Sequence, residues 1–409
     1  MSKPKIVGGI DIGSYAVKTL IVKHEEGKRP KVIGLGTHSA NGLREGEVKD
    51  NDDAAKSIAA SVQEAENMAG INLGRYYVSL NGKHIGARIH RGFVSVSRAD
   101  QEISESDIER VTDLNSLNAY QPNRDVIHAV PLNFMIDQKE VVKNPLGLKG
   151  FRLEAEVLIV DGLSVHLKNL ENCIHACGID IVETCYAPLA ASYAVLDKQE
   201  REYGALILDF GSEVSSVSIF DEGTMYFTSA IPFGSRAITY DINVGLRIPF
   251  DQAEIVKLTY GFLDKSNNKS GFKRDQVDLA AITGQDDFSV SRKDLENIVS
   301  SRVNEWLGLI SKEYNRVKKA INPTIAVLIG GGVNMKGVDD LIRDKLSLPT
   351  RIGRVNINSV VEEAEDPSYA VAAGMCLWAL EKEDDKGSSI SIDLSFIRGI
   401  TKWVKNFIP

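Results

Sequence analysis

Two short runs in this 409-residue chain place an aspartate, a glycine and a serine at the same spacing: Asp11-Ile12-Gly13-Ser14 and Asp209-Phe210-Gly211-Ser212. Each closes one apolar run and opens another, so each reads as a β-hairpin with a tight polar turn. That combination suits phosphate. A glycine has no Cβ, so the turn is expected to take a positive φ at Gly13 and bring its N–H groups close to an anion, while an aspartate at a strand end holds a metal ion through water. A third run, Gly330-Gly331-Gly332, follows an apolar strand at 325–329 and precedes a helical segment at 338–346, which suits a loop lying against a flat base or ribose. Recurrence of the hairpin about half a chain apart implies two related units that share one cleft.

Composition narrows the field. A chain of 409 residues with 43% hydrophobic content supports two or more units with full cores. A formal net charge of −8 and a pI near 5.5, with no basic stripe in the body, argue against nucleic acid as principal partner. Cys173, Cys177, Cys185 and Cys376 stand in apolar surroundings and read as reduced core residues, which points to a reducing compartment. Cys173 and Cys177 flank His175 without a second ligand cluster, so a metal reading is set aside. The first strand begins by residue 5, leaving no room for a signal peptide, and the longest apolar stretch, 369–380, is too short to span a bilayer. The body is therefore expected to be soluble and cytosolic.

The elements that must position these runs follow from periodicity. Residues 31–37 read as a strand. Residues 52–68 read as a helix with a stripe through Ala55, Ile58, Ala59, Val62 and Ala65, capped by Asp50, Asn51 or Asp52. A short strand at 76–80 precedes a change of character at His84. From there to 161, a helix at 104–118 and strands near 126–130, 132–136 and 152–160 describe a small α+β insert. A helix at 163–177 ends at Gly178. Beyond the second hairpin come a helix at 251–260, a polar loop at 267–272, a long helix at 291–319 and a buried helix just after Pro367.

The hairpins, the triple-glycine loop and the insert resemble the actin/Hsp70-like ATPase fold, and within it the FtsA family of bacterial cell division proteins. The resemblance is most specific in Leu80-Asn81-Gly82-Lys83-His84-Ile85, Val126-Ile127-His128-Ala129-Val130-Pro131, 144–150 and 187–196. It implies an α/β fold of two related ribonuclease-H-like domains around a nucleotide cleft, with ATP and Mg²⁺ as cofactors. The implied divisions are a first subdomain (1–83 and 162–192), the insert (84–161), a second subdomain (193–240 and 306–380) and a partner-binding subdomain (241–305). Carried over by motif, Asp11, Gly13 and Ser14 form the first phosphate loop and Asp209, Gly211 and Ser212 the second, with the two aspartates as metal ligands. Gly330, Gly331 and Gly332 form the adenosine loop, Gly234 joins the cofactor set, and Glu254 and Lys257 touch ribose and adenine. Three residues apart on one helical face, Glu254 and Lys257 reach one ligand together or form a surface ion pair.

This chain departs from the family pattern at three places. A lysine often stands two residues after the first serine; here it is Ala16, and Lys18 on the same strand face is the candidate replacement. Glu213 and Val214 replace glycine and threonine in the second loop, and a carboxylate there repels a γ-phosphate unless Mg²⁺ intervenes. Ala187 stands where hydrolysing relatives carry the Glu or Gln that positions water. The expectation is nucleotide binding with slow or absent turnover and no catalytic residue.

The end of the chain carries a second signal. Residues 381–394 open with a charged, polar run and read as a flexible linker. In 395–409, Phe396, Ile397, Ile400, Trp403, Val404, Phe407 and Ile408 share one helical face, with Arg398, Lys402 and Lys405 on the other. Such a helix suits an anionic membrane surface; docking on the protein's own body or on a partner is the alternative. The resemblance implies a peripheral protein on the cytoplasmic face of the membrane at the division site. It further implies self-assembly into filaments, work with other division proteins, and tethering of the tubulin-like protein FtsZ. Arg292 and Asn297 would receive the FtsZ tail; an exposed arginine without a partner is the plain alternative. Two other functions share the fold: a PilM-like role in type IV pilus assembly, and a small-molecule kinase, for which no catalytic base is evident.

Overall fold

The computed structural model describes residues 4–261, 276–359 and 362–385. Strands β1 (Lys5–Ile12) and β2 (Ala16–His24) form the first hairpin, with Asp11 opposite Lys18, and β3 (Lys31–Ser39) extends it antiparallel. A small hairpin, β4 (Leu43–Arg44) and β5 (Glu47–Val48), leads to helix α1 (Asn51–Ala69). Asp50 caps α1 by accepting the Asp53 N–H at 3.0 Å, and the helix buries Ala54, Ile58, Val62 and Ala65, so its stripe is centred one residue earlier than Ala55 and Ala59 imply. Strand β6 (Arg75–Leu80) then pairs parallel with β1.

The next segment builds a sheet of its own. Strands β7 (Gly86–Ser95), β8 (Arg124–Ile136), β9 (Glu140–Val142) and β10 (Arg152–Leu163) run in the order β7-β10-β8-β9, antiparallel throughout. Helix α2 (Glu105–Asn118) packs on it through Ile108 and Val111, against Phe134 and Val157. The two strands expected at 126–130 and 132–136 are one. Pro131 falls at a register shift opposite Val157, and a bulge tolerates the missing N–H. At the root of this unit, buried Asp161 accepts from Arg88 and Arg124. His128, also buried, accepts the Tyr186 N–H at 2.9 Å, which ties β8 to the first sheet.

Helix α3 (Ser164–Ala176), strand β11 (Asp180–Tyr186) and helices α4 (Ala187–Val195) and α5 (Lys198–Tyr203) lead to the second hairpin. It consists of β12 (Ala205–Phe210) and β13 (Ser215–Asp221), followed by β14 (Thr224–Ile231). Then come α6 (Arg236–Leu246), α7 (Phe250–Tyr260), β15 (Gln276–Asp278), α8 (Ala280–Thr283), β16 (Ser289–Ser291) and the long α9 (Arg292–Val317). The chain closes with β17 (Ile325–Ile329), α10 (Val338–Leu346), β18 (Thr350–Ile352), β19 (Asn358–Ser359) and α11 (Ala370–Asp385).

The repeat seen in the hairpins is a repeat of whole sheets. The first sheet runs β11-β6-β1-β2-β3-β19 and the second β14-β13-β12-β17-β18. In each, an antiparallel meander of three strands is extended on its first strand's side by two parallel strands. This is the α/β, actin-like architecture expected from the sequence. One division differs: residues 306–380, expected to lie wholly in the second subdomain, are split. Strand β19 pairs with β3, and α11 crosses β1 so closely that a Cβ on Gly9 would lie 2.8 Å from the Ala372 carbonyl oxygen. Glycines allow that approach, and Gly374 does the same against Ala190.

Helix α11 also continues to Asp385, into the segment read as linker. Lys382 explains the extension, since it pairs with Glu183 and its ammonium lies 4.1 Å from the Trp378 ring centroid. The remainder of that linker, the amphipathic segment 395–409 and the polar loop at 267–272 lie outside the described residues.

Candidate functional site

The turns of the two hairpins and the loop after β17 face one another across a cavity of about 340 Å³. Asp11, Gly13, Ser14 and Lys18 line it from the first half; Asp209, Gly211, Ser212, Glu254, Lys257, Gly330, Gly331 and Gly332 line it from the second. Residues that are 198 positions apart in the hairpins thus share one wall-to-wall site, as the motif spacing implies.

The glycines act by clearance. Neither Gly13 nor Gly211 takes a positive φ, which corrects the expectation for Gly13. Each is required because a Cβ would strike a carbonyl oxygen three residues on, 2.9 Å from Ala16 in the first turn and 2.4 Å from Val214 in the second. Gly330 does need its conformation: φ is +89°, and a Cβ would lie 2.4 Å from Asp209 Oδ1. Gly332 lets the loop rest on the Phe210 ring, whereas Gly331 faces open space. Gly234 stands behind the second turn, where a Cβ would come within 2.3 Å of the Ser212 backbone.

Three of the charged side chains that line the cavity, Asp11, Lys18 and Asp209, act on one another. Burial raises the pKa of Asp11, opposed by Lys18 and by the hydroxyl of Ser79, which donates to Asp11 Oδ1 at 2.9 Å. Burial also raises Asp209, to about 7, with the charge of Asp11 adding to the effect and Lys18 opposing it. Lys18 is held below its usual range by burial, although Asp11, Asp366 and Asp209 all favour its charged form. Its ammonium donates to the Ser368 carbonyl at 2.6 Å and lies 4.7 Å from the Tyr369 ring centroid. Two facing carboxylates with raised pKa values, Asp209 buried and Asp11 partly so, are a site that gains from a divalent cation. Among the described residues no third acid, histidine or cysteine joins them, so such an ion would complete its oxygen shell from phosphate and water, as Mg²⁺ commonly does.

The remaining expected residues divide. Glu254 and Lys257 form an ion pair at 2.7 Å, but a buried one: Lys257 is 2% exposed and also bonds Thr239 Oγ1 at 3.0 Å. Burial pulls the Lys257 pKa down and Glu254 opposes it. Glu213 lines the cavity with its charge matched, pairing with Arg44 at 2.8 Å and Arg236 at 3.5 Å. Ala187 is fully buried at the start of α4. Cys173 and Cys177 point toward the carbonyls of Asn51 and Ala55, and His175 points outward near Glu171, so these three do not converge. Arg292 begins α9 and reaches Glu296 at 3.3 Å; Asn297 is exposed further along the same helix. The seven apolar and three basic residues of the expected membrane helix lie outside the described residues.

Sequence reasoning passed over Tyr15, Arg236, Phe250, Asn334 and Tyr369, which also line the cavity. Arg236 had a signal, since it follows Gly234 and Ser235 at the start of a helix that abuts the second turn. Arg44 had none, because its partner is 169 positions away.

Comparison with known proteins bears on this arrangement directly. Residues 206–374 match the profile of the cell division protein FtsA, and residues 82–161 match the SHS2 domain inserted in FtsA. The cell division protein FtsA of Borreliella burgdorferi is 32% identical over 94% of this chain and 92% of its own length. FtsA of Pseudomonas aeruginosa is 29% identical over 98% of both chains, and that of Bacillus subtilis 28% identical over 96% of this chain and 88% of its own. Among solved structures, a PilM–PilN type IV pilus biogenesis complex superposes with a TM-score of 0.66 at 17% identity, covering 91% of this chain and 98% of that one. MreB5 of Spiroplasma citri bound to AMPPNP gives a TM-score of 0.53 at 13% identity, covering 95% of this chain and all of that one. At those identities the solved structures speak for an actin-like fold, while the sequence relatives decide among its families. The chain belongs to the FtsA family of cell division proteins.

Proposed function

We propose that this chain binds ATP with Mg²⁺ in the cleft, assembles with copies of itself, and links FtsZ to the cytoplasmic membrane during division. The observation that carries the nucleotide reading is the pair of duplicated hairpins presenting partly buried Asp11 and buried Asp209 to one cavity, with the glycine loop 330–332 beside them. A magnesium–phosphate group matches that charge pattern, and MreB5, with the same fold, was solved with AMPPNP. In this reading Asp11 and Asp209 hold the ion, Ser14 and Ser212 the phosphates, and Glu254 and Lys257 the ribose and base. Residues 241–305 serve as the partner-binding subdomain. Fully buried Ala187 in place of a water-positioning side chain supports slow or absent turnover. The PilM reading rests on fold alone, and no observation favours it.

Membrane attachment is assigned to residues 395–409. Large apolar side chains are worth roughly 1.5 to 3 kcal/mol each when fully buried, so partial burial of seven at an interface gives several kcal/mol. Three cations near anionic headgroups add about 1 kcal/mol each at low salt. A filament presenting many such helices multiplies this through effective concentration. The full-length chain is expected to co-sediment with anionic liposomes, whereas Trp403→Glu, a charge at the centre of the apolar face, releases it. Retention of a chain ending at Lys386 on those liposomes would remove the membrane assignment.

Arg292 is the proposed contact for the acidic FtsZ tail. Its partner Glu296 is exposed and sits on the same helix, so an incoming carboxylate can replace it. Arg292→Glu is expected to weaken binding of an FtsZ tail peptide roughly tenfold. Unchanged binding takes Arg292 out of the site.

A further inference from the structure

Glu213 is where the second hairpin stops matching the phosphate loop it otherwise repeats, and the structure gives it a defined set of partners. Its side chain is 12% exposed. Arg44 Nη1 donates to one carboxylate oxygen at 2.8 Å and the Glu45 backbone N–H to the other at 2.7 Å, both from the β4–β5 hairpin of the first half. Arg236 Nε approaches at 3.5 Å from the first turn of α6, in the second half. The β4–β5 hairpin is fastened in turn to the first phosphate turn, where the Gly46 N–H donates to Ser14 Oγ at 3.2 Å. Two guanidinium groups from opposite walls therefore converge on one internal anion, beside the cavity that Ser14, Ser212 and Glu213 all line.

This geometry differs from that of an ordinary surface ion pair. A surface pair leaves its carboxylate hydrated and costs little to break, whereas Glu213 is largely dehydrated and takes a backbone donor as well. Guanidinium recognises carboxylate and phosphate with the same planar N–H···O geometry, so either anion can occupy the same donors. A triphosphate entering the cleft meets Arg236 and Glu213 in its lining, with Arg44 bonded to the same carboxylate outside that lining; Glu213 repels it while both guanidinium groups attract it.

Resting on the nucleotide reading of the cleft, we infer that Arg44 and Arg236 are receptors for the terminal phosphate of a nucleoside triphosphate. Glu213 is the internal anion that holds them, and with them the two halves, until phosphate takes its place. A diphosphate leaves the Arg44–Glu213–Arg236 bridge intact. The exchange gives this chain a means of telling triphosphate from diphosphate that needs no hydrolysis.

The test is calorimetry on the full-length chain, with MgATP, MgADP and magnesium tripolyphosphate as probes and thermal melts to verify folding. Glu213→Gln keeps the shape and an oxygen for the Glu45 N–H but removes the charge. It is expected to raise affinity for ATP and tripolyphosphate roughly tenfold, leaving ADP within twofold. Arg44→Ala and Arg236→Ala should each lower ATP affinity roughly tenfold with ADP little changed. If Glu213→Gln weakens ATP and ADP alike, the bridge is structural and the inference falls. If wild type binds ATP and none of the three substitutions changes the ATP-to-ADP ratio, the inference falls while the nucleotide reading stands. If tripolyphosphate responds as described but ATP does not bind, the anion site stands and the nucleotide reading falls.

Discussion

The two Asp-x-Gly-Ser hairpins share a cross-strand register and differ in electrostatics. Across β1 and β2, Asp11 faces Lys18; across β12 and β13, Asp209 faces Ser216 at the equivalent register. The first hairpin carries its own cation, while the second opposes its acid with a hydroxyl that is buried and has no hydrogen-bond partner among the described residues. Burial therefore raises both acids, but Asp209 has no cation opposite it and reaches about 7. Two positions after glycine the roles reverse. Tyr15 in the first turn is exposed, and Glu213 in the second is held by arginines from both halves. Duplication has kept what sterics demand, since both glycines clear a carbonyl three residues on, and has let charge diverge. The outcome is one site with a lysine on one side and a proton-holding acid on the other.

The sharpest break in that comparison comes from crowding Asp209. Gly330→Ala places a Cβ 2.4 Å from Asp209 Oδ1 at a φ of +89°, whereas Gly331→Ala enters open space. Gly330→Ala is expected to lower MgATP affinity more than a hundredfold and to cost about 2 kcal/mol of stability, and Gly331→Ala, which meets no protein atom, should leave the melting temperature unchanged. Calorimetry and melts on both variants decide it; equal behaviour would mean that the loop does not press on Asp209.

The cross-strand partners give the next largest effect. Lys18→Met removes the first hairpin's cation and should weaken MgATP binding by about tenfold or more, since charge-assisted contacts are worth roughly 1.5 to 3 kcal/mol. Ser216→Ala, at the matching place in the second hairpin, should leave binding within twofold and raise stability by up to about 1 kcal/mol, because it deletes a buried, unpartnered hydroxyl. Loss of binding on Ser216→Ala would show that the second hairpin uses its cross-strand partner after all.

Much of this was legible in the sequence because the signals are local. Apolar alternation around Asp-x-Gly-Ser gives the hairpins, and their recurrence gives two sheets of matching topology. What was not legible depends on distance in the chain or on approach of elements. The neutralisation of Glu213 requires Arg44 from a hairpin in the other half, and no periodicity records that pair. The place of α11 on the first sheet is written in Gly9 and Gly374, which read as ordinary strand and helix glycines until the packing is seen. Glu254 and Lys257 share one helical face, as their spacing implies, but the bond from the buried lysine to Thr239 comes from the first turn of α6, 18 positions away and outside any local pattern. The need for glycine at position 13 was legible, while its cause, a carbonyl contact instead of a positive φ, was not.

The subtlest difference between the hairpins is a difference in pH dependence. Asp209 has a folded pKa of about 7 against 3.8 for the ordinary carboxyl, because burial and Asp11 disfavour its charge. The folded chain therefore holds a proton that the unfolded chain releases. This stability is fully present below about 4, is lost as the pH rises from about 4 to 7, and stays lost above 7. Asp209→Asn should accordingly raise the melting temperature of the nucleotide-free protein at pH 8 by a few degrees and leave it little changed at pH 4. A magnesium ion requires the ionised form, so MgATP affinity should fall roughly tenfold between pH 8 and pH 6 as Asp209 takes up its proton. Asp11→Asn should preserve a sizeable part of that slope, since Asp11 is one of two causes of the shift, while Asp209→Asn should flatten it to the level set by the nucleotide's own protonation. A slope that survives Asp209→Asn and vanishes with Asp11→Asn would place the titrating acid in the first hairpin and reverse the comparison.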